Sequence, residues 1–117
     1  MGPGAPELAQ VQFNLGMIAT DLGEFDVAEG HLEAARRIDE AAWGATSIEV
    51  ARDRFAQAYL DFGRGQFEAG CAVIDELLPI YEAALGRVHD ETASVINALA
   101  VCRYYACLLY TSDAADE

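Results

Sequence analysis

Shifting the chain by 42 residues brings it into register with itself, and this internal repeat restricts the fold more than any other feature. Gly2 aligns with Gly44 and Gly86, Glu7 with Glu49 and Glu91, and Ala9 with Ala51 and Ala93. Phe13 meets Phe55, Gly23 meets Gly65, Phe25 meets Phe67, Ile38 meets Ile80, and Glu40-Ala41-Ala42 recurs as Glu82-Ala83-Ala84. Ten identities in the first 42 positions exceed low-complexity coincidence, because the rarer Phe and Gly recur in the same register. Arrays of this kind gain stability by stacking one unit on the next.

Each unit reads as two helices. Leu8, Val11, Leu15, Ile18 and Leu22 step by 3, 4, 3 and 4, the apolar stripe of one helix, which Gly23 ends. Phe25, Ala28, Leu32, Ala35 and Ile38 start a second stripe that runs to Trp43, with Gly44 as a left-handed C-terminal cap. Ile48, Ala51, Phe55, Ala58 and Phe62 repeat the first helix; after Gly63-Arg64-Gly65, Phe67, Gly70, Ile74, Leu77 and Tyr81 repeat the second. Val95, Leu99 and Cys102 mark a fifth helix, with Asp90 to cap it. Thr46 and Glu49 stand at capping-box spacing, and Pro6 suits a first helical position. Pro79 is expected to bend the fourth helix. No segment alternates with period 2, so no strand is expected. The expectation is an all-α fold with helices at 6–22, 25–43, 47–62, 66–85 and 90–106, grouped as units 1–43, 44–85 and 86–106.

This pattern resembles the tetratricopeptide repeat in its longer, 42-residue form, as in kinesin light chains and many bacterial regulators. Leu15-Gly16, Gly23, Phe25, Ala28, Leu32 and Ala35 fall on the family's packing positions in the first unit. Ala58, Gly65, Phe67, Gly70 and Ile74 do so in the second, where Gln57 departs from the usual Leu. Tyr81 to Ala93 is similar to the family's inter-repeat linker, with Asp90 where Pro is usual, and residues 2–9 resemble the same linker with the Pro. The resemblance covers residues 1–106 and implies antiparallel helix pairs stacked as a right-handed superhelix. The chain opens inside a linker and stops within a third unit, so a longer parent protein is expected. Residues 107–117, Cys-Leu-Leu-Tyr-Thr-Ser-Asp-Ala-Ala-Asp-Glu, resemble the translation of a transposon-type sequencing adapter and are expected to be a non-native tail.

Charge and composition narrow the function. With 53% hydrophobic and 23% charged residues the chain belongs with foldable globular sequences. Its 20 acidic and seven basic residues give a net charge of −13, which argues against tracking a nucleic-acid backbone or an anionic membrane. All seven basic residues are arginines, a bias that with abundant Ala and Gly suggests a GC-rich bacterial source and removes every lysine-based mechanism. No apolar run approaches the roughly 18–20 residues of a membrane span, and residues 1–7 lack the regions of a signal peptide, so a cytoplasmic protein is expected. Gly63-Arg64-Gly65 lacks the Lys and the strand of a phosphate loop. His31 and His89 have no Cys or His at metal spacing and read as surface histidines. Cys71 and Cys102 read as small buried thiols. Carboxylates such as Glu29 and Glu33 read as a solvated helix face. Neither an enzyme nor a cofactor or metal site is expected.

The resemblance implies a protein- or peptide-binding scaffold. The alternative is a regulatory or sensor repeat module of a larger bacterial signalling or transcriptional regulator. In the family the first helix of each pair lines a concave groove, which carries onto Gln10, Phe13, Met17 and Thr20. The 42-residue shift takes these to Arg52, Phe55, Tyr59 and Phe62, then to Ser94, Asn97, Val101 and Tyr104. The expected site is therefore Gln10, Phe13, Met17, Arg52, Phe55, Tyr59, Asn97 and Tyr104, with Arg52 and Asn97 as polar handles. The groove should take an extended or helical peptide with apolar anchors and an acid for Arg52. Self-association is expected through the C-terminal end, where Val95, Leu99 and Cys102 would lack cover.

Overall fold

The computed structural model describes residues 5–115. Five helices follow one another: α1 (Ala5–Asp21), α2 (Phe25–Trp43), α3 (Ile48–Gly63), α4 (Phe67–Leu85) and α5 (Asp90–Ala115). Among the described residues there is no strand, and the chain is an all-α helical repeat. Each helix packs on its successor, and α1 also reaches α3. The turns are three or four residues long, so consecutive helices run antiparallel. Four glycines make those turns possible: Gly23 and Gly65 have φ of 78° and 82°, and Gly44 and Gly86 have 96° and 87°. These backbone angles are open to Gly and strained for other residues.

Close approach inside each pair depends on missing side chains. A Cβ on Gly16 would lie 2.6 Å from Leu32 Cδ2, and one on Gly70 would lie 2.9 Å from the Ala58 carbonyl oxygen. Ala28, Leu32 and Ala35 of α2 are buried, as are Gly70, Ile74, Leu77 and Tyr81 of α4. These are the positions that the stripes of the second helices indicated.

The stripe of α1 behaves differently. Leu8, Val11, Leu15, Ile18 and Leu22 are all exposed, and α1 is held through Ala9, Gly16 and Ala19 on its other side. The repeat explains this. In α3 the matching Val50, Asp53 and Leu60 lie buried beneath the preceding helix α2, and in α5 Thr92, Val95, Leu99 and Cys102 are buried likewise beneath α4. Among the described residues no helix precedes α1, so its stripe faces outward. The same logic corrects the expectation for α5. Val95, Leu99 and Cys102 are covered, and the face of α5 without a neighbour carries Ala93, Asn97, Ala100 and Tyr104 instead.

Other local expectations are revised as well. The α3 N-cap is Ser47, whose Oγ accepts from the Val50 N–H at 3.2 Å, not Thr46. His89 takes the capping role expected of Asp90, its Nδ1 accepting from the Glu91 N–H at 3.1 Å. Helix α4 carries Pro79 inside it, within the expected span. Helix α5 runs past the expected limit at residue 106 to Ala115, and Asp116 and Glu117 lie outside the described residues, as do Gly2 and Pro3 of the first linker. Cys71 and Cys102 are not thiols: a disulfide joins them across α4 and α5 with Cα atoms 5.9 Å apart. Among the described residues no helix is long and apolar enough to cross a membrane.

Candidate functional site

The first helices α1, α3 and α5 share one face of the array, and a groove with a cavity volume of about 430 Å³ opens there. Gln10, Phe13 and Met17 reach it from α1, and Arg52, Phe55, Ala56 and Tyr59 from α3. Tyr81 closes it from α4, and Glu91 and Ser94 from α5. The i, i+3, i+4 spacing of each helix places these side chains on one face. Six of the expected residues, Gln10, Phe13, Met17, Arg52, Phe55 and Tyr59, are thus brought together. Asn97 and Tyr104 do not line this cavity; both are exposed further along α5.

Tyr104 is nonetheless linked to the groove by aromatic contacts. Ring centroids run from Phe55 to Tyr59 at 5.1 Å, to Phe62 at 5.8 Å, to Phe67 at 5.3 Å, to Tyr105 at 5.5 Å and to Tyr104 at 5.7 Å. Phe13, Phe55 and Phe62 are half-buried, whereas Tyr59 is exposed. Phe62 also packs against Gly70, so part of its surface is spent on joining α3 to α4.

Arg52 is already occupied. Its Nε and Nη2 donate to the two carboxylate oxygens of Glu91 at 2.7 and 2.8 Å, a bidentate pair between α3 and α5. That hydrogen bond holds the Glu91 carboxyl below its ordinary range and raises the arginine further. Burial, then the Glu91 charge, push the Tyr81 hydroxyl up.

Beside this groove, and sharing Gln10, Phe13 and Arg52 with it, lies a smaller cavity of about 210 Å³. Its floor is a pair of carboxyls absent from the expected site: Asp39 of α2, 8% exposed, and Asp53 of α3, 2% exposed. Trp43 and Glu49 complete the wall. Asp53 Oδ2 is buried and meets no hydrogen-bond donor among the described residues. With no donor for Oδ2 and the Asp39 carboxyl beside it, Asp53 favours its protonated form. Burial first, then the neighbouring Asp39 carboxyl and its charge, push Asp53 up to about 9, against the opposing pull of Arg36. Several other carboxylates pair with arginines: Glu33 with Arg36 at 3.0 Å, which lowers it, and Asp26 and Glu29 with Arg64 at 2.8 and 3.2 Å. His31 Nδ1 lies 2.7 Å from Gln12 Oε1. Among the described residues no cluster of His, Cys, Asp and Glu could hold a metal ion.

No protein-family model matches the chain. It is similar to the clustered mitochondria protein homolog of Xenopus tropicalis, 29% identical over 91 residues. The alignment takes in 78% of this chain but only 7% of that protein's length. Distant similarity and the five-helix all-α architecture fit a tetratricopeptide-like helical repeat.

Proposed function

We propose that this chain is a protein- or peptide-binding scaffold without catalysis of its own, built from 42-residue tetratricopeptide-type repeats. The groove across α1, α3 and α5 carries the reading. It joins apolar and aromatic side chains, Phe13, Met17, Phe55 and Tyr59, to a few polar groups, the composition that holds extended or helical peptides through side-chain anchors. Tyr59 supports it most directly, because it is a large amphipathic ring left exposed beside the groove. The reading uses residues 5–106 alone and does not depend on residues 107–117. Cytoplasmic residence is part of the same proposal.

Selection from a random peptide library displayed on phage tests it. Enriched peptides should share apolar anchors, and Tyr59→Ala should weaken them by about tenfold, or about 1.4 kcal/mol, with unchanged helix content. Peptides that bind Tyr59→Ala as tightly as the parent chain would move the binding surface elsewhere.

A further inference from the structure

The two junctions between successive units differ sharply in chemistry at one buried pair of positions, and each serves as the control for the other. Between the second and third units Tyr81 and Val95 are both buried in the same apolar cluster. The residues 42 positions earlier are Asp39 and Asp53. Two short carboxyls thus replace a large ring and a branched aliphatic, and the small cavity opens where the ring's volume is missing. A second exchange accompanies the first. Arg52 pairs with Glu91, and the residues 42 positions earlier are Gln10 and Glu49, so Glu49 has no arginine in the register that answers Glu91. Among the described residues Glu49 makes no ion pair, although Arg52 lines the same cavity. An apolar interface has become an acidic one, and Arg52 at its wall is already held by Glu91.

We propose that the cavity over Asp39 and Asp53 takes the cationic head of a basic side chain, guanidinium or ammonium, belonging to the peptide that fills the adjoining groove. The cation stands where the first unit lacks its arginine, with Glu49 as a further counter-charge and Trp43 and Phe13 offering aromatic faces. The proposal rests on the groove reading for the source of the cation, since the two cavities share Gln10, Phe13 and Arg52. Arg52 does not repel it strongly because Glu91 neutralises that guanidinium. A buried pair of carboxyls with an oxygen left unpartnered is costly to fold around, and sites of that kind are where a fold departs from its own packing rule for function. Binding a cation there favours the ionised pair and releases the proton that burial keeps on Asp53, so affinity rises with pH. The groups facing the pair are Arg36 on α2, Glu49 and Arg52 on α3 and Tyr81 on α4, while α1 contributes only uncharged side chains to the cavity.

The test uses the full chain and three small probes of similar shape: n-butylguanidinium, n-butylammonium and neutral n-butylurea. Carbon-13 resonances of the Asp39 and Asp53 carboxyls should move saturably with the two cations and not with butylurea. Affinity should be about tenfold higher near about pH 9.5 than near about pH 6. Asp53→Asn should abolish that dependence. Gln10→Arg, at an exposed position that leaves the core untouched, should supply the missing arginine and lower cation affinity about tenfold. Equal response to butylurea, no saturable response to either cation, or unchanged affinity in both variants would overturn the proposal, as would a response to calcium chloride alone. Tyr59 does not line this cavity, so Tyr59→Ala should leave probe binding intact. Loss of the anchored library peptides with retained probe binding isolates the groove; the reverse pattern isolates the carboxyl pair.

Discussion

Arg52 grips both carboxylate oxygens of Glu91 at 2.7 and 2.8 Å, and in doing so ties α3 to α5 across the mouth of the groove. Both side chains are about two-fifths exposed, which screens the pair and limits its worth to about 0.5–1 kcal/mol. Glu91→Gln should cost about that much in urea unfolding at neutral pH. The arginine's hydrogen bond depresses the Glu91 carboxyl, so the contribution is present above the ordinary carboxylate range and is lost as pH falls through the lowered value. Parent chain and variant should therefore converge in acid. Glu91→Gln should also free Arg52 for an acidic peptide, and a peptide with one acid should bind it more tightly than it binds the parent chain.

Two helical glycines should respond to the same substitution with opposite sign. A Cβ on Gly70 would press on the Ala58 carbonyl oxygen at 2.9 Å and on the Phe62 ring, and the carbonyl belongs to a helix backbone that cannot step aside. Gly70→Ala should destabilise by about 1–3 kcal/mol. Gly30 in α2 has nothing within 4 Å, so Gly30→Ala should stabilise by about 0.5–1 kcal/mol through helix propensity. Equal shifts in melting temperature would contradict the close approach of α3 and α4.

Leu15 and Leu99 occupy matching positions two units apart, yet Leu15 is 41% exposed and Leu99 only 6%. Truncating Leu99 to Ala should cost about 2–4 kcal/mol. Leu15→Ala should cost about 1 kcal/mol or less, because about two-fifths of its surface already meets water and it lies outside the core. Chemical denaturation of the two variants side by side decides this.

The same pair shows what the sequence could and could not reveal. The repeat, the helix limits other than the end of α5, and the glycine turns were legible because each is a local pattern with a local cause. The spacing of Leu8, Val11, Leu15, Ile18 and Leu22 identifies a face of a helix, but not whether another helix comes to cover it. The expected positions on α1 and α3 came from the family resemblance and the 42-residue shift, and six of them line the cavity, whereas Asn97 and Tyr104 sit where, among the described residues, α5 has no neighbour to close a cavity around them. Asp39 and Asp53 looked like ordinary surface carboxylates because helical spacing does not say which polar position faces a partner. One signal was available: their counterparts Tyr81 and Val95 are apolar, and an acid at two apolar positions of a repeat marks an interface with altered chemistry.

Cys71 and Cys102 are separated by 31 residues and lie on different helices, so only the packing of α4 on α5 brings them together. With the disulfide formed, thiol titration of the folded chain should count one reactive group, the exposed Cys107. Replacing both paired cysteines with Ala should cost about 2–4 kcal/mol, and reduction should lower the melting temperature of the parent chain but not of that variant. Structural disulfides are rare in the cytosol, so finding the bond intact in protein trapped directly from cells would count against cytoplasmic residence.

Asp53 should give the fold an unusual dependence on pH. Its carboxyl is pushed up to about 9, by burial first and then by the neighbouring Asp39 carboxyl and its charge, from an ordinary value of 3.8. The folded chain therefore keeps a proton that the unfolded chain releases through the lower part of that interval. The associated stability is complete below the unfolded value and declines as pH rises toward the folded one. Glu33 and Glu91 act in the opposite sense, since their lowered carboxyls add stability above the ordinary range and lose it in acid. Their effects end near that range, and Asp61, which burial also raises, adds to the slope in the same sense as Asp53, whose larger shift dominates it from mildly acidic to alkaline pH. Asp53→Asn removes the proton from the balance and leaves an uncharged amide beside Asp39. Urea midpoints of the parent chain should fall steadily from about pH 5 to about pH 9, while those of Asp53→Asn stay nearly level. By the alkaline end the variant should be the more stable by about 1–3 kcal/mol, the usual cost of a buried polar group without its partner. Parallel profiles for the two proteins would mean that the Asp39–Asp53 pair opens to water in solution.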